Sequence, residues 1–171
     1  VRDPQGFRPL CLGKTEHGYV LSSESCAFDA IKAEFIRDID PGEMVIIDDR
    51  GVRSTIYAEP QKIDKKLCVF EYIYFARSDS KIDGQSVYET RLNMGRELYN
   101  ETKYDADIVM SIPDSGTTAA LGYARASGIP FAEGLIKNRY SGRTFIKPNQ
   151  EERELAVRMK LNAMPEVVGG K

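Results

Sequence analysis

The stretch Ile108-Val-Met-Ser-Ile-Pro-Asp-Ser-Gly-Thr-Thr-Ala-Ala-Leu-Gly-Tyr-Ala-Arg-Ala-Ser-Gly128 constrains this chain more than any other. Ile108 to Ile112 is a short apolar run stopped by Pro113, which reads as a buried strand. From Thr117 onward, Ala120, Leu121 and Ala124 recur at helical spacing, and Gly128 followed by Pro130 ends the helix. Between strand and helix lies a small polar turn made of Pro113, Asp114, Ser115, Gly116 and Thr117. Backbone N–H groups and the positive helix end favour an anion there, and small side chains let a phosphate come close. The plainer alternative is an ordinary strand-to-helix turn with Ser115 or Thr117 as N-cap.

The chain has 171 residues, enough for one domain with a real core or two small or partial ones. A hydrophobic content of 42% with 29% charged residues is globular rather than disordered. A net charge of −2 gives no reason to expect nonspecific binding to nucleic acid or membrane. No apolar run approaches the roughly 20 residues of a membrane span, and no signal peptide is visible. Cys11, Cys26 and Cys68 are odd in number and widely spaced, which points to a reducing cytoplasm rather than a disulfide framework.

Read in order, Arg2-Asp-Pro-Gln-Gly-Phe-Arg-Pro-Leu10 is a loop whose arginines suit carboxylate partners. Gly18 to Ser22 reads as a strand, and Ser25 or a neighbour caps a helix placing Phe28, Ile31, Phe35 and Ile36 on one face. Pro41-Gly42 breaks it. Met44 to Ile47 and Val52 to Tyr57 form a hairpin about Asp48-Asp-Arg-Gly51. Glu59 to Lys66, polar and containing Pro60, reads as a linker. Leu67 to Ala76 is an aromatic-rich strand candidate, and Arg77 to Gly84 a loop. Ser86-Val-Tyr-Glu89 is a capping box opening a helix with Val87, Met94 and Leu98 on one side. After the central strand, turn and helix, Pro130 to Ile136 reads as another strand, so the order predicts a parallel sheet with crossover helices. Phosphates in such sheets sit beyond the carboxyl ends of the strands.

Lys137-Asn-Arg-Tyr-Ser-Gly-Arg-Thr-Phe-Ile-Lys147 packs four cations and two aromatics around Gly142. Asn149 and Glu152 then mark a helix start, with Arg153, Arg158 and Lys160 adding positive charge. Such a run is either a solvated face or a lid whose cations meet a polyanion. In the second case Arg139 and Arg143 clamp phosphate, Lys137 acts as a point charge and Tyr140 covers an organic ring. A single basic patch on an acidic chain argues against nucleic acid.

Several of these motifs, taken in order, resemble the glutamine phosphoribosylpyrophosphate amidotransferase family. They are Arg2 to Leu10, Ser22-Ser-Glu-Ser-Cys-Ala-Phe-Asp29, Cys68-Val-Phe-Glu-Tyr-Ile-Tyr-Phe-Ala-Arg77, Ile112-Pro-Asp-Ser-Gly116, Lys137 to Ile146 and Arg158-Met-Lys-Leu-Asn162. The resemblance runs from Val1 to Lys171. It implies the end of an N-terminal-nucleophile glutaminase domain over 1–58, a linker over 59–66, and the first part of a phosphoribosyltransferase domain over 67–171. The fold class it implies is α+β followed by α/β with a parallel sheet. Family members convert phosphoribosylpyrophosphate, glutamine and water to phosphoribosylamine, glutamate and pyrophosphate, which opens purine synthesis.

By the same resemblance, Pro113, Asp114, Ser115, Gly116 and Thr117 bind pyrophosphate, with Ser115 a Mg2+ contact. Lys137, Asn138, Arg139, Tyr140, Gly142, Arg143 and Thr144 form the flexible lid. Cys68 matches a ligand of a 4Fe-4S cluster found in one branch of the family, while Cys11 and Cys26 read as core. None of the three cysteines matches the glutaminase nucleophile, and the family's two-carboxylate substrate loop has no counterpart in these residues. No catalytic residue is therefore assigned, and these residues are expected to be inactive alone and to form homo-oligomers within a longer parent. Ser78 stands where relatives usually have Pro. The competing expectations are a silent phosphoribosyl-binding regulator and, more weakly, an NTPase, for which Ile112 to Thr118 lacks the Gly-Lys-Ser/Thr ending.

Overall fold

A computed structural model describes every residue from Val1 to Lys171. The chain is mixed α/β and packs as two compact units, Val1–Thr90 and Arg91–Lys171, so Leu67 to Thr90 pack with the residues before them. No helix is long and apolar enough to cross a membrane.

In the first unit β1 (Cys11–Thr15) lies between β2 (Gly18–Ser22) and β3 (Glu34–Asp38), antiparallel to both. Between β2 and β3 comes α1 (Cys26–Ala30), far shorter than the spacing of Phe28, Ile31, Phe35 and Ile36 predicts. The Ala33 N–H closes on the Phe28 carbonyl at 2.9 Å and Lys32 turns left-handed at φ 55°, which ends the helix. Phe35 then pairs with Gly13 of β1 and Ile36 falls at the register shift beside it, so strand pairing overrides a helical spacing of side chains. Phe28 alone of the four is buried, beside Cys11, Leu12 and Ile39.

The hairpin expected after Pro41-Gly42 is present as β4 (Glu43–Asp48) and β5 (Gly51–Ile56). Glu43 anchors it. Its carboxylate accepts from Arg37 Nη1 and from the Asp40 amide, both at 2.8 Å. Paired so with Arg37, the buried Glu43 carboxyl is held at about 2, against an ordinary 4.5. The unfolded chain takes up that proton first, so the stabilisation is whole above pH 4.5 and is lost as pH falls towards 2. Glu43→Gln should abolish that acid-side loss, on the order of 2 kcal/mol, in urea midpoints measured from pH 5 to pH 2.5. An unchanged slope would remove Glu43 as its source.

Leu67 to Ala76 is not the strand its aromatic content suggests. After a short turn at Pro60–Lys62, residues Glu71–Phe75 wind into one wide helical turn closed by Ala76 N–H on the Glu71 carbonyl. The cause is Glu71, whose buried carboxylate takes a 2.6 Å bond from Arg8; a strand would alternate it with the aromatics. The loop predicted at Arg77 to Gly84 contains a hairpin, β6 (Lys81–Ile82) and β7 (Gln85–Ser86), with Asp83 and Gly84 both at positive φ. Ala76, Ile82 and Val87 form a buried cluster with Leu67 and Tyr72 against it. Fully burying a side chain such as Val87 stabilises by roughly 1.5–3 kcal/mol.

α2 (Val87–Glu101) starts where the capping box places it, with Ser86 Oγ accepting from the Glu89 amide at 3.3 Å. Val87 at its start belongs to the Ala76–Ile82 cluster and its later inward stripe is Leu92 and Gly95, whereas Leu98, predicted inside, is 53% exposed. The stripe contains a glycine because α3 (Thr117–Ser127) presses on it. A Cβ on Gly95 would run into the Ala119 carbonyl, and one on Gly122 into the Leu92 carbonyl. At the far end Tyr99 meets Tyr123 edge-on at 5.5 Å, and the Tyr123 hydroxyl donates to the Thr102 carbonyl.

The strand predicted over Ile108 to Ile112 is reduced to one parallel bridge between Val109 and Phe131. Met110 and Ile112 remain exposed, so these residues do not form the buried strand that their apolar run suggests. β8 (Leu135–Lys137) pairs antiparallel with β9 (Leu161–Ala163), with α4 (Gln150–Lys160) between them and α5 (Pro165–Val168) after. Asn149 caps α4 as expected, its Oδ1 accepting from the Glu152 amide at 2.9 Å.

Candidate functional site

The close seating of α3 on α2 fixes the turn that opens it. Gly116 stands at the N-cap with no side-chain cap, so neither Ser115 nor Thr117 plays the plain capping role. The Thr117 amide donates back to the Asp114 carbonyl at 3.3 Å and the Ala120 amide to the Gly116 carbonyl at 2.9 Å. In α3's first turn the Thr118 and Ala119 amides are therefore those without a partner inside the helix. A Cβ on Gly116 would stand 3.0 Å from the Ile112 carbonyl oxygen, a tight contact that the backbone would have to shift to relieve. Thr117 Oγ1 lies 3.1 Å from Ser111 Oγ, which ties the helix start to the end of the preceding extended segment. Gly128 closes the far end at φ 75°.

The segment expected to be a lid begins where β8 ends, beside this turn. Lys137 Nζ donates to Asp114 Oδ2 at 2.7 Å, which brings the first lid cation to the second turn residue. That pairing, with Arg139 nearby, holds the Asp114 carboxyl below its ordinary range. Asn138 is the lid's root: its amide donates to the Lys160 carbonyl at 2.7 Å, and its Oδ1 accepts from the Tyr140 amide at 3.0 Å. Lys160 Nζ reaches back to the Gly142 carbonyl at 3.1 Å. Arg139, Tyr140, Gly142 and Arg143 are exposed, Tyr140 completely, and Thr144 is half-buried. A cleft of about 440 Å³ separates Thr144 and Phe145 from Arg153, Val157 and Arg158 on α4.

The structure thus brings Asp114 to Lys137 and fixes the lid root to α4. Arg139, Tyr140 and Arg143 stand in solvent. Ser111 and the Lys160 contact with the lid were not legible as site features. Ser111 left one signal, a hydroxyl inside an otherwise apolar run.

Arg2-to-Leu10, the other motif singled out, is structural. Arg2 Nη1 and Nη2 take Asp83 at 3.0 and 3.2 Å, and the same guanidinium donates to the carbonyls of Ile39, Gly6 and Arg8.

The chain was compared with known proteins on this footing. No protein-family model matches it. Amidophosphoribosyltransferase of Archaeoglobus fulgidus is 54% identical over 170 residues, which is 99% of this chain and 37% of the relative. The chain is homologous to amidophosphoribosyltransferase. The Synechococcus elongatus amidophosphoribosyltransferase is 55% identical over 176 residues, covering all of this chain and 35% of the relative. Among solved structures, the Bacillus subtilis glutamine phosphoribosylpyrophosphate amidotransferase complexed with ADP and GMP superposes with a TM-score of 0.88 at 50% identity. That match covers 98% of this chain and 36% of the other. The chain therefore spans about a third of the length of these amidophosphoribosyltransferases.

Neither inorganic group that the family resemblance implies fits the residues present. No three His, Cys, Asp or Glu side chains come together, and the carboxylate next to Ser115 is engaged with Lys137. Ser115 alone offers one hydroxyl, short of a Mg2+ site. A 4Fe-4S cluster needs four thiolates. Cys68 is half-buried, while Cys11 and Cys26 are buried in the first unit. Burial pushes the Cys11 thiol up to about 12 and raises that of Cys26, which suits their reading as core residues.

Proposed function

We propose that this chain supplies the diphosphate-gripping turn and the lid of an amidophosphoribosyltransferase. In that reaction, glutamine-derived ammonia displaces pyrophosphate from phosphoribosylpyrophosphate to give phosphoribosylamine, the first step of purine synthesis. The observation that carries the reading is the 2.7 Å contact from lid Lys137 to Asp114 of the turn, in a chain so similar to these enzymes.

In this reading Pro113 to Thr117 receive the diphosphate on first-turn amides of α3, where the helix dipole favours negative charge. Lys137 adds a point charge, and Arg139 and Arg143 come down with the lid on phosphate oxygens. Tyr140 covers the ribose side. Closure excludes water, so ammonia rather than hydroxide meets the anomeric carbon, and rate comes from positioning and charge stabilisation.

The same proposal takes residues 1–58 as the end of a glutaminase domain, 59–66 as a linker and 67–171 as the start of the phosphoribosyltransferase domain. It also takes phosphoribosylpyrophosphate and glutamine as substrates, a homo-oligomer as the assembly and the cytoplasm as the location. A silent regulatory module draws no support from the comparisons, because the alignments to these enzymes run through 99% of the chain, residues 1–58 included.

The test replaces the matching stretch of an amidophosphoribosyltransferase with this sequence and follows ammonia-dependent transfer. Arg143→Ala should lower kcat/KM for phosphoribosylpyrophosphate roughly tenfold, the loss of one strong charge-assisted contact, and leave glutamine hydrolysis intact. Unchanged transfer would overturn the lid assignment.

A further inference from the structure

We propose that Asp114 is a built-in stand-in for the ligand's phosphate, holding Lys137 at the mouth of the turn until a diphosphate displaces it. The inference rests on the diphosphate reading of this turn and adds what holds its lysine before a ligand arrives.

The geometry is that of a competitor. The Asp114 carboxylate lies in the turn that opens α3 and takes the lid's first ammonium at 2.7 Å. Lys137 is the last residue of β8, with its side chain only 27% exposed, so it sits against the protein whatever anion it faces. The Asp114 side chain is 62% exposed. It can therefore swing into water at little cost when another anion claims the lysine. Arg139, next along the chain after Asn138, also acts on this carboxylate through its charge.

A phosphate oxygen at the α3 head would want the same ammonium and would meet Asp114 as a like charge. Carboxylate and phosphate cannot both stay close without repulsion, so binding is an exchange. A weakly charged anion gains little from that exchange, whereas a diphosphate brings several charges and two groups to the amides and the lysine. Asp114 thus lowers the affinity of every anion that takes the lysine, and a diphosphate, held by amides and lysine together, is bound tightly enough to displace it. It also keeps the lid's root cation parked beside the site before ligand arrives.

The test is titration calorimetry with inorganic pyrophosphate and inorganic phosphate on the chain and on Asp114→Asn, Lys137→Ala and the double variant. Asp114→Asn should tighten pyrophosphate roughly two- to fivefold and phosphate to a similar degree, since both must take the same lysine. In the Lys137→Ala background the same change should have less than half that effect. Equal tightening in both backgrounds would mean simple charge repulsion and would overturn the exchange. Weaker binding in Asp114→Asn would make Asp114 a ligand group and overturn it as well. If the unsubstituted chain binds no pyrophosphate, the diphosphate reading itself fails, and that result is read before any variant is made.

Discussion

Gly122→Ala is expected to destabilise the second unit by at least about 3 kcal/mol, and Gly95→Ala by a similar amount. Extra methylenes in a packed interior usually cost about 1–3 kcal/mol because side chains can shift to absorb them. Here the added methyl meets backbone. At Gly122 it would run into the Leu92 carbonyl and Cα, and at Gly95 into the Ala119 carbonyl with the Tyr123 amide behind it. No rotamer relieves that, so α2 and α3 must move apart along their whole contact. Alanine's better helix propensity returns at most about 1 kcal/mol. Because α3 carries the turn at its head, separation should loosen the site too, so weaker pyrophosphate binding should accompany the lost stability. The measurement is urea unfolding with pyrophosphate titration alongside. A loss below about 1 kcal/mol would show that the two helices are not locked by these glycines.

That pair of glycines also shows what a sequence conceals. A scan for apolar spacing along α2 selects Leu98, which is exposed, and passes over Gly95, where the helix is in closest contact. Close backbone approach leaves no side chain to count. Phe35 and Ile36 misled for another reason: their spacing from Phe28 suits a helix, but edge pairing with β1 decided their conformation. Cys11–Thr15 itself, with two lysine-flanked small residues and no clean alternation, carried no strand signal. Leu67 to Ala76 looked like a strand because of its aromatics, yet a single buried carboxylate, Glu71 on Arg8, set its winding.

Signals that are chemical rather than periodic survived better. The Ser86 hydroxyl, Asn149 with Glu152, and Gly128 each dictate a local backbone by themselves, and each marks an element where it was placed, whereas the helix that Pro41-Gly42 was to break has already ended at Ala30. The Pro113–Thr117 turn and the cationic loop after Lys137 were legible, as a turn and a loop, for the same reason. Their meeting was not, since Asp114 and Lys137 are separated by the whole of α3 and a strand.

Arg2→Met should cost the first unit about 3–5 kcal/mol, the range for breaking a buried charge pair from one side. Methionine keeps much of the stem, so the loss is electrostatic and not a cavity. Three carbonyls, those of Ile39, Gly6 and Arg8, lose their donor, and buried Asp83 keeps only Lys65, at 3.2 Å. The pH dependence separates these contributions. Burial pushes the Asp83 carboxyl up, but Arg2 and Lys65 together outweigh it and hold the group below its ordinary value. The unfolded chain then protonates first, so this stabilisation is present above about pH 4 and is lost as pH falls through the folded value. Asp38, raised by burial and by Asp83, also lies in the field of Arg2, and removing the guanidinium moves both carboxyls upward. The stability gap between the native chain and Arg2→Met should therefore narrow from pH 6 to pH 3 in urea unfolding. A gap that stays constant with pH would assign the effect to the three carbonyls alone and deny the ion pair any part in holding the Asp83 turn to the Arg2 loop.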